Sequence, residues 1–372
     1  MDKVKIGLVG CGSAVWMFMS IEKYTPICEF TAIMDSDVKK LEEIKKQYGI
    51  EQSYTDYDEF LRKSGIDAVI IASPPNYHCE QTIKAARKGI HVLCEKPMAP
   101  SISECMEMIK ACRENNIILM VGFMKRFDKS MIKVKQLIDS GELGSIHQIT
   151  TKWSWWQGDG GICWRDLIPA GGGLYQDHGS HVTDLCRWWL GEIDIVSAEI
   201  NVIMEGREVE DNATVMYKHK TGAVSVHLQS RLTHKELTEY YLIDGSRCSL
   251  ELYFNRDFSG PSHDPFKMYL YKKGKMREDV SILNMANIDM EISKNGRYKK
   301  ELEYFCQNIQ QGKSIEINTG KDGLKAMEAI IAAYLSSYRA EKVTLPLPRE
   351  SYELEIQQIF SGIKKRSPYF EK

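Results

Sequence analysis

The first 122 residues alternate short apolar runs with stretches of helical periodicity, and this alternation limits the folds open to the chain. The predicted strands are residues 5–9, 30–34, 68–72, 91–94 and 117–121. The predicted helices between them are residues 15–24, 38–48, 80–88 and 102–114. Strands that are separated by helices need crossover connections, which make neighbouring strands parallel. The pattern therefore predicts an α/β domain with a doubly wound parallel sheet.

Beyond residue 145 the pattern changes to strict alternation of apolar and polar positions, which is typical of antiparallel strands. Thr221-Gly222 and Asp244-Gly245 each lie between two such runs and predict hairpins. The stretch 129–140 is helix-like, so the two halves are not joined by a Pro/Gly-rich linker. We expect an N-terminal domain over residues 1–123, a C-terminal domain over 124–345, and an extension over 346–372 that packs on the core.

Charge and composition exclude several classes of protein. The chain of 372 residues carries 49 Lys+Arg against 51 Asp+Glu, so its net charge is −2. A near-neutral balance argues against a nucleic-acid or membrane-surface partner. The N-terminus enters a strand pattern at once, and we expect a cytoplasmic protein without a leader. The ten cysteines include no Cys-x-x-Cys pair and are expected to be reduced, buried thiols.

A glycine turn follows the first predicted strand, in the run Val9-Gly10-Cys11-Gly12-Ser13-Ala14-Val15. Glycine at position 10 permits a tight strand-to-helix turn, and glycine at position 12 lets a pyrophosphate approach the backbone. The N–H groups of the helix that begins at Ser13 and Ala14 would then face that anion. Val15 stands where this fingerprint usually has Gly or Ala. The turn predicts a dinucleotide site, with Gly10, Gly12, Ser13 and Ala14 in contact with the cofactor.

Asp35 comes at the end of the second predicted strand. A carboxylate at this position hydrogen-bonds the ribose hydroxyls and repels a 2′-phosphate. The alternative is an N-cap or turn residue. We therefore expect NAD as the cofactor, in preference to NADP.

Three further motifs follow in order along the chain. They are Ile71-Ala-Ser-Pro-Pro-Asn-Tyr-His78, Gly89-Ile-His-Val-Leu-Cys-Glu-Lys-Pro97, and Trp164-Arg165 with Gly171-Gly-Gly-Leu-Tyr-Gln-Asp-His-Gly-Ser-His181. Together with the glycine turn, this set resembles the Gfo/Idh/MocA oxidoreductase family, which includes glucose–fructose oxidoreductase and inositol dehydrogenase. The resemblance implies a Rossmann domain followed by an α/β domain with a large, mostly antiparallel sheet. It also implies an active site where the nicotinamide meets that sheet.

The resemblance assigns roles to individual residues. The family's catalytic lysine, aspartate and histidine match Lys96, Asp177 and His181. The residues expected to border the nucleotide are Ser73, Pro74, Asn76, His78, Glu95 and Lys96.

These residue types suit the oxidation of an alcohol. His181 can take the hydroxyl proton, because an imidazole titrates near neutral pH. Lys96 can polarise the reacting oxygen and stabilise alkoxide character. Asp177 lies four residues before His181 and would share a face with it if the segment is an α-helix, so it could orient the imidazole or bind a neighbouring sugar hydroxyl. His178 and His181 have no third ligand at a convincing spacing, so no metal is expected.

Tryptophans are concentrated just before the glycine run, and two interpretations of them stay open. The expected substrate contacts are Trp153, Trp155, Trp164, Arg165, Lys96, Asp177 and His181. Flat indole rings suit the apolar faces of pyranoses, with Arg165 supplying polar contacts. Alternatively, the tryptophans pack in the sheet as core residues.

Three functions remain at this point. The first is an NAD-dependent dehydrogenase that oxidises a secondary hydroxyl of a sugar, glycoside or cyclitol, with C3 of a glucoside favoured. The second is a glycoside-cleaving enzyme that oxidises transiently, eliminates the aglycone and needs a further base, for which Tyr175, His178 and Lys96 are candidates. The third is a non-catalytic nucleotide sensor. We expect a homo-oligomer formed through the C-terminal sheet.

Overall fold

The computed structural model describes residues 2–157, 161–234, 237–256, 267–281, 290–351 and 356–366. The chain divides into two compact units, each with its own sheet. The first unit comprises residues 1–127 and 288–325, and the second comprises residues 128–287 and 326–372. Residues 288–325, which the sequence-based boundaries place in the second domain, therefore cluster with the first unit.

The bounds of the elements are as follows. The strands are β1 Val4–Val9, β2 Cys28–Met34, β3 Gln52–Tyr54, β4 Ala68–Ile71, β5 His91–Cys94, β6 Leu119–Val121, β7 Ile146–Ser154, β8 Ile193–Asn201, β9 Asn212–His219, β10 Val224–Ser230, β11 Leu237–Gly245, β12 Cys248–Arg256, β13 Lys267–Lys272, β14 Glu278–Asp279 and β15 Val343–Thr344. The helices are α1 Ser13–Met19, α2 Val38–Tyr48, α3 Tyr57–Lys63, α4 His78–Arg87, α5 Ile102–Glu114, α6 Lys129–Asp139, α7 Ser180–Leu190, α8 Met290–Gln311, α9 Gly320–Arg339 and α10 Ile356–Arg366.

The first sheet is parallel and has the order β3-β2-β1-β4-β5-β6. Every side chain of β4 is buried, as expected for a central strand that is covered by helices on both faces. The chain leaves β1 toward β2 and β3, and later returns to the other side of β1 with β4. This reversal places a crevice at the carboxyl ends of β1 and β4, where doubly wound folds bind their ligands. The predicted fold of this unit is confirmed.

Local sequence determines the helix ends. The Asp37 carboxylate accepts hydrogen bonds from the N–H groups of Lys39 and Lys40, so it caps the start of α2. Gly49 ends α2 in a left-handed conformation with φ of 71°. Between these ends, the side chains of Leu41 and Ile44 are buried and form the apolar face of the helix.

The second sheet has nine strands in the order β14-β13-β12-β11-β7-β10-β9-β8-β15. Its neighbours pair antiparallel except for β7 and β10, which run parallel. Both predicted hairpins form. The loop that contains Thr221-Gly222 joins β9 to β10, whereas β11 and β12 are joined by Ser246-Arg247, since Asp244 and Gly245 are the last residues of β11. One face of the sheet packs on α6 and α7 around a core that includes Val134, Leu185 and Ile243. The predicted, mostly antiparallel second sheet is confirmed.

All ten cysteines are free thiols in the structure, and nine of them are buried. Burial raises the pKa of the Cys11 thiol to about 12, and the nearby Asp35 carboxylate adds to the shift. Cys11 is therefore protonated and contributes as a small apolar side chain.

Candidate active site

The loops after β1 and β4 meet at the carboxyl edge of the first sheet. Gly10 adopts a φ of 92°, and its N–H donates to the carbonyl of Met34 at 2.8 Å. A Cβ built on Gly10 would lie 2.7 Å from the backbone nitrogen of Ser73. The predicted cofactor residues of these two loops are therefore neighbours, and only glycine fits at position 10.

The turn itself leaves room for an anion. A Cβ built on Gly12 would have nothing within 4 Å, so the backbone at this position is open to approach. Gly12 is also the N-cap of α1 and has no side chain with which to satisfy the first N–H groups of the helix. Both observations fit a pyrophosphate that accepts hydrogen bonds from the helix start at Ser13 and Ala14.

Asp35 ties the glycine turn to the end of β2. One carboxylate oxygen accepts from the N–H of Cys11 at 2.6 Å, and the other accepts from the N–H of Asp37 at 2.8 Å. The side chain is thus held beside the glycine turn and is only half-buried. A carboxylate fixed in this way retains lone pairs for ribose hydroxyls, which fits the role that the sequence predicts.

Replacing Gly10 by alanine is expected to weaken cofactor binding, because the new methyl group would overlap the backbone of Ala72 and Ser73. Gly89→Ala is the matched control, since Gly89 also has a positive φ, 77°, but has open space around its Cβ position. We expect Gly10→Ala to raise the Kd for NAD by roughly tenfold or more, measured by quenching of protein fluorescence. A Kd equal to that of Gly89→Ala would contradict the predicted close approach.

The loop after β4 carries one acceptor suited to a cofactor. The buried Oδ1 atom of Asn76 has no hydrogen-bond partner among the described residues. A buried acceptor of this kind is costly unless a ligand or water satisfies it. Pro74 precedes the 3₁₀ turn that carries Asn76, and the Ser73 hydroxyl donates to the side chain of Gln81 at 2.6 Å. Asn76 therefore fits the predicted cofactor role more directly than Ser73 does.

His78 lies between two backbone segments at this edge of the sheet. The ring is buried, with Nε2 lying 2.8 Å from the carbonyl oxygen of Ser73 and Nδ1 3.0 Å from that of Pro97. Burial lowers the pKa of His78. The imidazole thus lies between two backbone carbonyls, to one of which its single N–H can donate, and it joins the loop after β4 to the segment that follows Lys96.

Glu95 and Lys96 follow β5 at the same edge of the sheet. The N–H of Glu95 donates to the carbonyl of Ile71 at 2.9 Å, and the N–H of Lys96 lies 3.2 Å from the Glu95 carboxylate. A Cβ on Gly122 would come within 3.1 Å of that carboxylate, so glycine makes room for it. Both side chains are half-buried, which leaves them accessible at the ligand-binding edge.

In the second unit, the glycine run packs against Trp164-Arg165. The N–H of Gly173 donates to the carbonyl of Arg165 at 3.0 Å, and a Cβ on Gly172 would lie 2.6 Å from that oxygen. The Arg165 guanidinium lies over the Trp164 ring, 4.3 Å from its centroid. The glycines therefore allow the backbone that carries Arg165 to approach the start of the following helix.

Asp177 lies in a π-helical turn, Tyr175–Gly179, that leads directly into α7. Its buried carboxylate accepts from Nε of Arg165 at 2.8 Å and lies 3.3 Å from Nδ1 of His178. The segment from Asp177 to His181 is therefore not one regular α-helical turn, and the wider π turn changes which side chains share a face. Such turns often occur at functional sites.

The predicted substrate residues of the second unit form a connected group together with His178. The Trp153 ring lies 4.8 Å from the ring of His178 and 6.0 Å from that of His181, and Trp155 lies 4.5 Å from His178. The group thus contains Trp153, Trp155, Trp164, Arg165, Asp177, His178 and His181. We call this set the tryptophan–histidine cluster. Lys96 and the glycine turn belong to the first unit.

A buried charged network beside this cluster was not predicted from the sequence. Asp166 pairs with Arg231 at 3.1 Å and with Arg207 at 3.3 Å, and the Asp211 carboxylate accepts from the N–H groups of Ile203 and Met204. These charged residues are far apart in the sequence: Asp166 and Arg231 are separated by 65 positions. A single sequence contains no pattern that would bring them together.

The described residues contain no group of three or more His, Cys, Asp or Glu side chains that could hold a metal ion. None of the helices among these residues has an apolar stretch that could span a bilayer.

Comparison with known proteins identifies the family. Residues 4–123 match the model of the oxidoreductase family with an NAD-binding Rossmann fold, and residues 131–251 match the model of the GFO/IDH/MocA C-terminal domain. The chain belongs to the Gfo/Idh/MocA oxidoreductase family. Its first unit is an NAD-binding Rossmann domain, and the predictions of an oxidoreductase and of NAD as cofactor are confirmed.

Relatives cover almost the whole chain. The myo-inositol 2-dehydrogenase of Thermotoga maritima is 27% identical over 349 residues, which cover 92% of this chain and 98% of that protein. An uncharacterized oxidoreductase of Streptococcus pneumoniae is 30% identical over 370 residues, with the same coverage of 92% and 98%. The structure of a levoglucosan dehydrogenase in complex with NADH superposes with a TM-score of 0.83 and 22% identity, covering 93% of this chain and 100% of that one. That structure shows that the two proteins share a fold.

Proposed function

We propose that this Gfo/Idh/MocA enzyme oxidises a secondary hydroxyl of a sugar or glycoside with NAD, and that the preferred position is C3 of a glucoside. The observation that carries the proposal is the tryptophan–histidine cluster. It joins a buried carboxylate that is paired with Arg165, two imidazoles and three indole rings. Polar groups that bind hydroxyls and flat rings that cover apolar faces are the two requirements of sugar recognition.

Each polar residue is proposed to have one role. His181 accepts the proton of the reacting hydroxyl. Lys96 donates a charge-assisted hydrogen bond to the same oxygen and stabilises its developing negative charge. Asp177, which is fixed by Arg165, accepts a hydrogen bond from a neighbouring sugar hydroxyl. NAD, when bound, supplies the hydride acceptor.

The indole rings are proposed to select for a pyranoside. Trp153 and Trp155 are half-buried and contact the histidines with their rings, and Trp153 also packs against the core of the second unit. The neighbouring Trp156 is 37% exposed and stacks on His234 at 4.0 Å, and we propose that this pair adds to the aromatic surface. An extended aromatic surface suits a glycoside with an aglycone better than a free cyclitol.

The position of oxidation is tested by product mapping. Methyl β-D-glucopyranoside is incubated with the enzyme and NAD, and the product is analysed by NMR. We expect the 3-keto glucoside. A product oxidised at C1 from free glucose, or turnover confined to inositols, would contradict the proposed position and substrate.

Asp35 is proposed to set the preference for NAD. Replacing it by serine removes a negative charge that would face a 2′-phosphate, so the kcat/KM ratio of NADP to NAD is expected to rise by roughly tenfold or more. Asp37→Ser is the matched control, because Asp37 caps α2 and accepts no hydrogen bond from the glycine turn in the described contacts. An unchanged ratio in Asp35→Ser would show that another group selects the cofactor.

A second function, glycoside cleavage through transient oxidation, is favoured by one observation. His178 lies between the Asp177 carboxylate and the rings of Trp153 and Trp155, so a second base is present in the cluster. Tyr175 does not suit this role, because burial raises the pKa of its hydroxyl well above the usual value and the hydroxyl donates to Tyr217. Release of p-nitrophenol from its β-glucoside with substoichiometric NAD would identify this function. Accumulation of NADH and a keto sugar would exclude it.

A homo-oligomer is proposed to form through the outer face of the second sheet. Tyr271 and Leu228 are each 37% exposed on this sheet, and the rings of Tyr253 and Tyr269 stack with centroids 6.0 Å apart. Large exposed apolar and aromatic side chains on a sheet are typical of an interface. Light scattering that gives the mass of one chain would contradict this proposal.

A further inference from the structure

We infer that Glu210 and Tyr334 are positioning residues for Asp177, because together they cap the π turn that carries it. The inference rests on the role proposed above for Asp177. Neither residue belongs to the motifs of the sequence. Glu210 lies two residues before β9, and Tyr334 lies on α9. Both residues are therefore outside the Tyr175–Gly179 turn that they contact.

The cap satisfies the N–H of Tyr175, the first residue of the turn. This N–H donates to Oε1 of Glu210 at 2.6 Å, and the hydroxyl of Tyr334 donates to the same oxygen at 2.8 Å. The first N–H groups of a helical turn have no partner within it, so the Glu210 carboxylate replaces a missing acceptor and the Tyr334 hydroxyl holds that carboxylate in place.

Gly173 shows how closely this cap approaches the backbone. A Cβ on Gly173 would lie 2.9 Å from the Tyr334 hydroxyl and 3.0 Å from each carboxylate oxygen of Glu210. Gly173 also has a φ of 134°, which side chains rarely adopt. Glycine is therefore required at position 173 for two reasons: a side chain would clash with Glu210 and Tyr334, and the positive φ is unfavourable for other residues.

The same backbone leads directly to Asp177. The N–H of Asp177 donates to the carbonyl of Gly173 at 2.9 Å, and the N–H of Gly173 donates to the carbonyl of Arg165 at 3.0 Å. Arg165 is the residue that pairs with the Asp177 carboxylate. A shift at the start of the turn would thus move both partners of the ion pair. Glu210 and Tyr334 touch neither the carboxylate nor the guanidinium in the described contacts and act through the backbone.

The surroundings of Glu210 indicate which property of its side chain matters. Its side chain is fully buried, and Arg231 is the cation that interacts with it, while Asp211 and Arg207 belong to the adjoining network. Burial raises the pKa of Glu210 to about 7. Both hydrogen bonds use Oε1, and Oε2 has no partner among the described residues. An uncharged acceptor at Oε1 should therefore suffice, and Glu210→Gln should retain the cap.

Hydrogen–deuterium exchange of the peptide covering residues 172–182 tests the cap without requiring a substrate. We expect Glu210→Ala to exchange about tenfold faster in this peptide than the wild type, Tyr334→Phe to be intermediate, and Glu210→Gln to resemble the wild type. Glu328→Ala is the matched control, since Glu328 is also buried in the second unit but accepts the N–H of Leu347. Unchanged exchange in Glu210→Ala, or equal acceleration in Glu210→Ala and Glu210→Gln, would overturn the cap.

Turnover of methyl β-D-glucopyranoside with NAD tests the consequence for Asp177. We expect Glu210→Ala to lower kcat by about 10- to 100-fold with an unchanged KM for NAD, and Glu210→Gln and Glu328→Ala to retain activity. Asp177→Asn is measured beside them. Wild-type turnover in Asp177→Asn would contradict the proposed function and leave the exchange result intact. Impaired Asp177→Asn together with wild-type kcat in Glu210→Ala would overturn the positioning role alone.

Discussion

Replacing His181 by alanine is expected to lower kcat for the oxidation of methyl β-D-glucopyranoside by about 10²–10⁴-fold, because the variant lacks the proposed base. The imidazole is buried in the tryptophan–histidine cluster, so bulk water has little access to replace it. The KM for NAD should not change, since the glycine turn and Asp35 belong to the other unit. Initial rates of NADH formation at saturating NAD provide the measurement.

His147→Ala is the matched control for this variant. His147 is exposed on β7, the same strand that carries Trp153, so its loss removes an imidazole from the unit without touching the cluster. The control should retain wild-type rates. If both histidine variants turn over equally fast, His181 is not the base, and His178 becomes the next residue to test.

Replacing Lys96 by alanine is expected to lower kcat by about 10²–10³-fold, the usual effect of removing one group that stabilises a developing oxyanion. Lys96 follows β5 at the ligand-binding edge of the first sheet, and its backbone is held by Glu95. Removal of the cation should also make the remaining activity more dependent on high pH, because the hydroxyl proton is then harder to remove. A pH–rate profile of the variant against the wild type measures both effects.

Lys88→Ala serves as the control for the loss of a positive charge from the same unit. Lys88 follows α4 and is exposed. Its loss should leave kcat unchanged. Residual activity in Lys96→Ala above about one tenth of the wild-type value would contradict direct contact of Lys96 with the reacting oxygen.

The fold was predictable where local signals agree with the tertiary structure. Residues 38–48 were predicted as a helix and form α2 with the same bounds, because Asp37 caps one end and Gly49 ends the other. The hairpin at Thr221-Gly222 follows from its turn residues in the same way. The hairpin predicted from Asp244-Gly245 also forms, but its turn is Ser246-Arg247, because Asp244 pairs with Ser249. The short strand β3 and the helix α3 were not predicted, because neither has enough residues for a clear period.

Long-range pairing was beyond the reach of sequence patterns. β7 and β10 pair in parallel although about 70 residues of sequence separate them. The alternation of apolar and polar residues predicts that each is a strand, but it does not predict which strand is its neighbour. The packing of α8 in the first unit is also a long-range contact that the sequence pattern does not predict. Leu302, Phe305 and Cys306 pack in the core of the first sheet, yet their spacing predicts only a helix with one apolar face.

In the candidate site too, short motifs indicate some residues, whereas others are recognised only from their packing. Gly10, Asp35 and Lys96 follow or precede strand ends as the short motifs indicate, and their functional roles stay predictions. His78 was assigned to the cofactor because it stands in the same motif, but its ring nitrogens face the carbonyls of Ser73 and Pro97. Glu210 was missed altogether, since an acidic residue before a strand predicts a solvated turn and only packing shows that it is buried.

Nicotinamide absorbance, followed when the purified protein meets NAD and a panel of methyl β-D-glucopyranoside, D-glucose and myo-inositol, tests the central claim most directly. The account predicts that NADH accumulates with the glucoside and that His181→Ala abolishes the signal. Absence of NADH with every member of the panel, or undiminished NADH formation in His181→Ala, would contradict it.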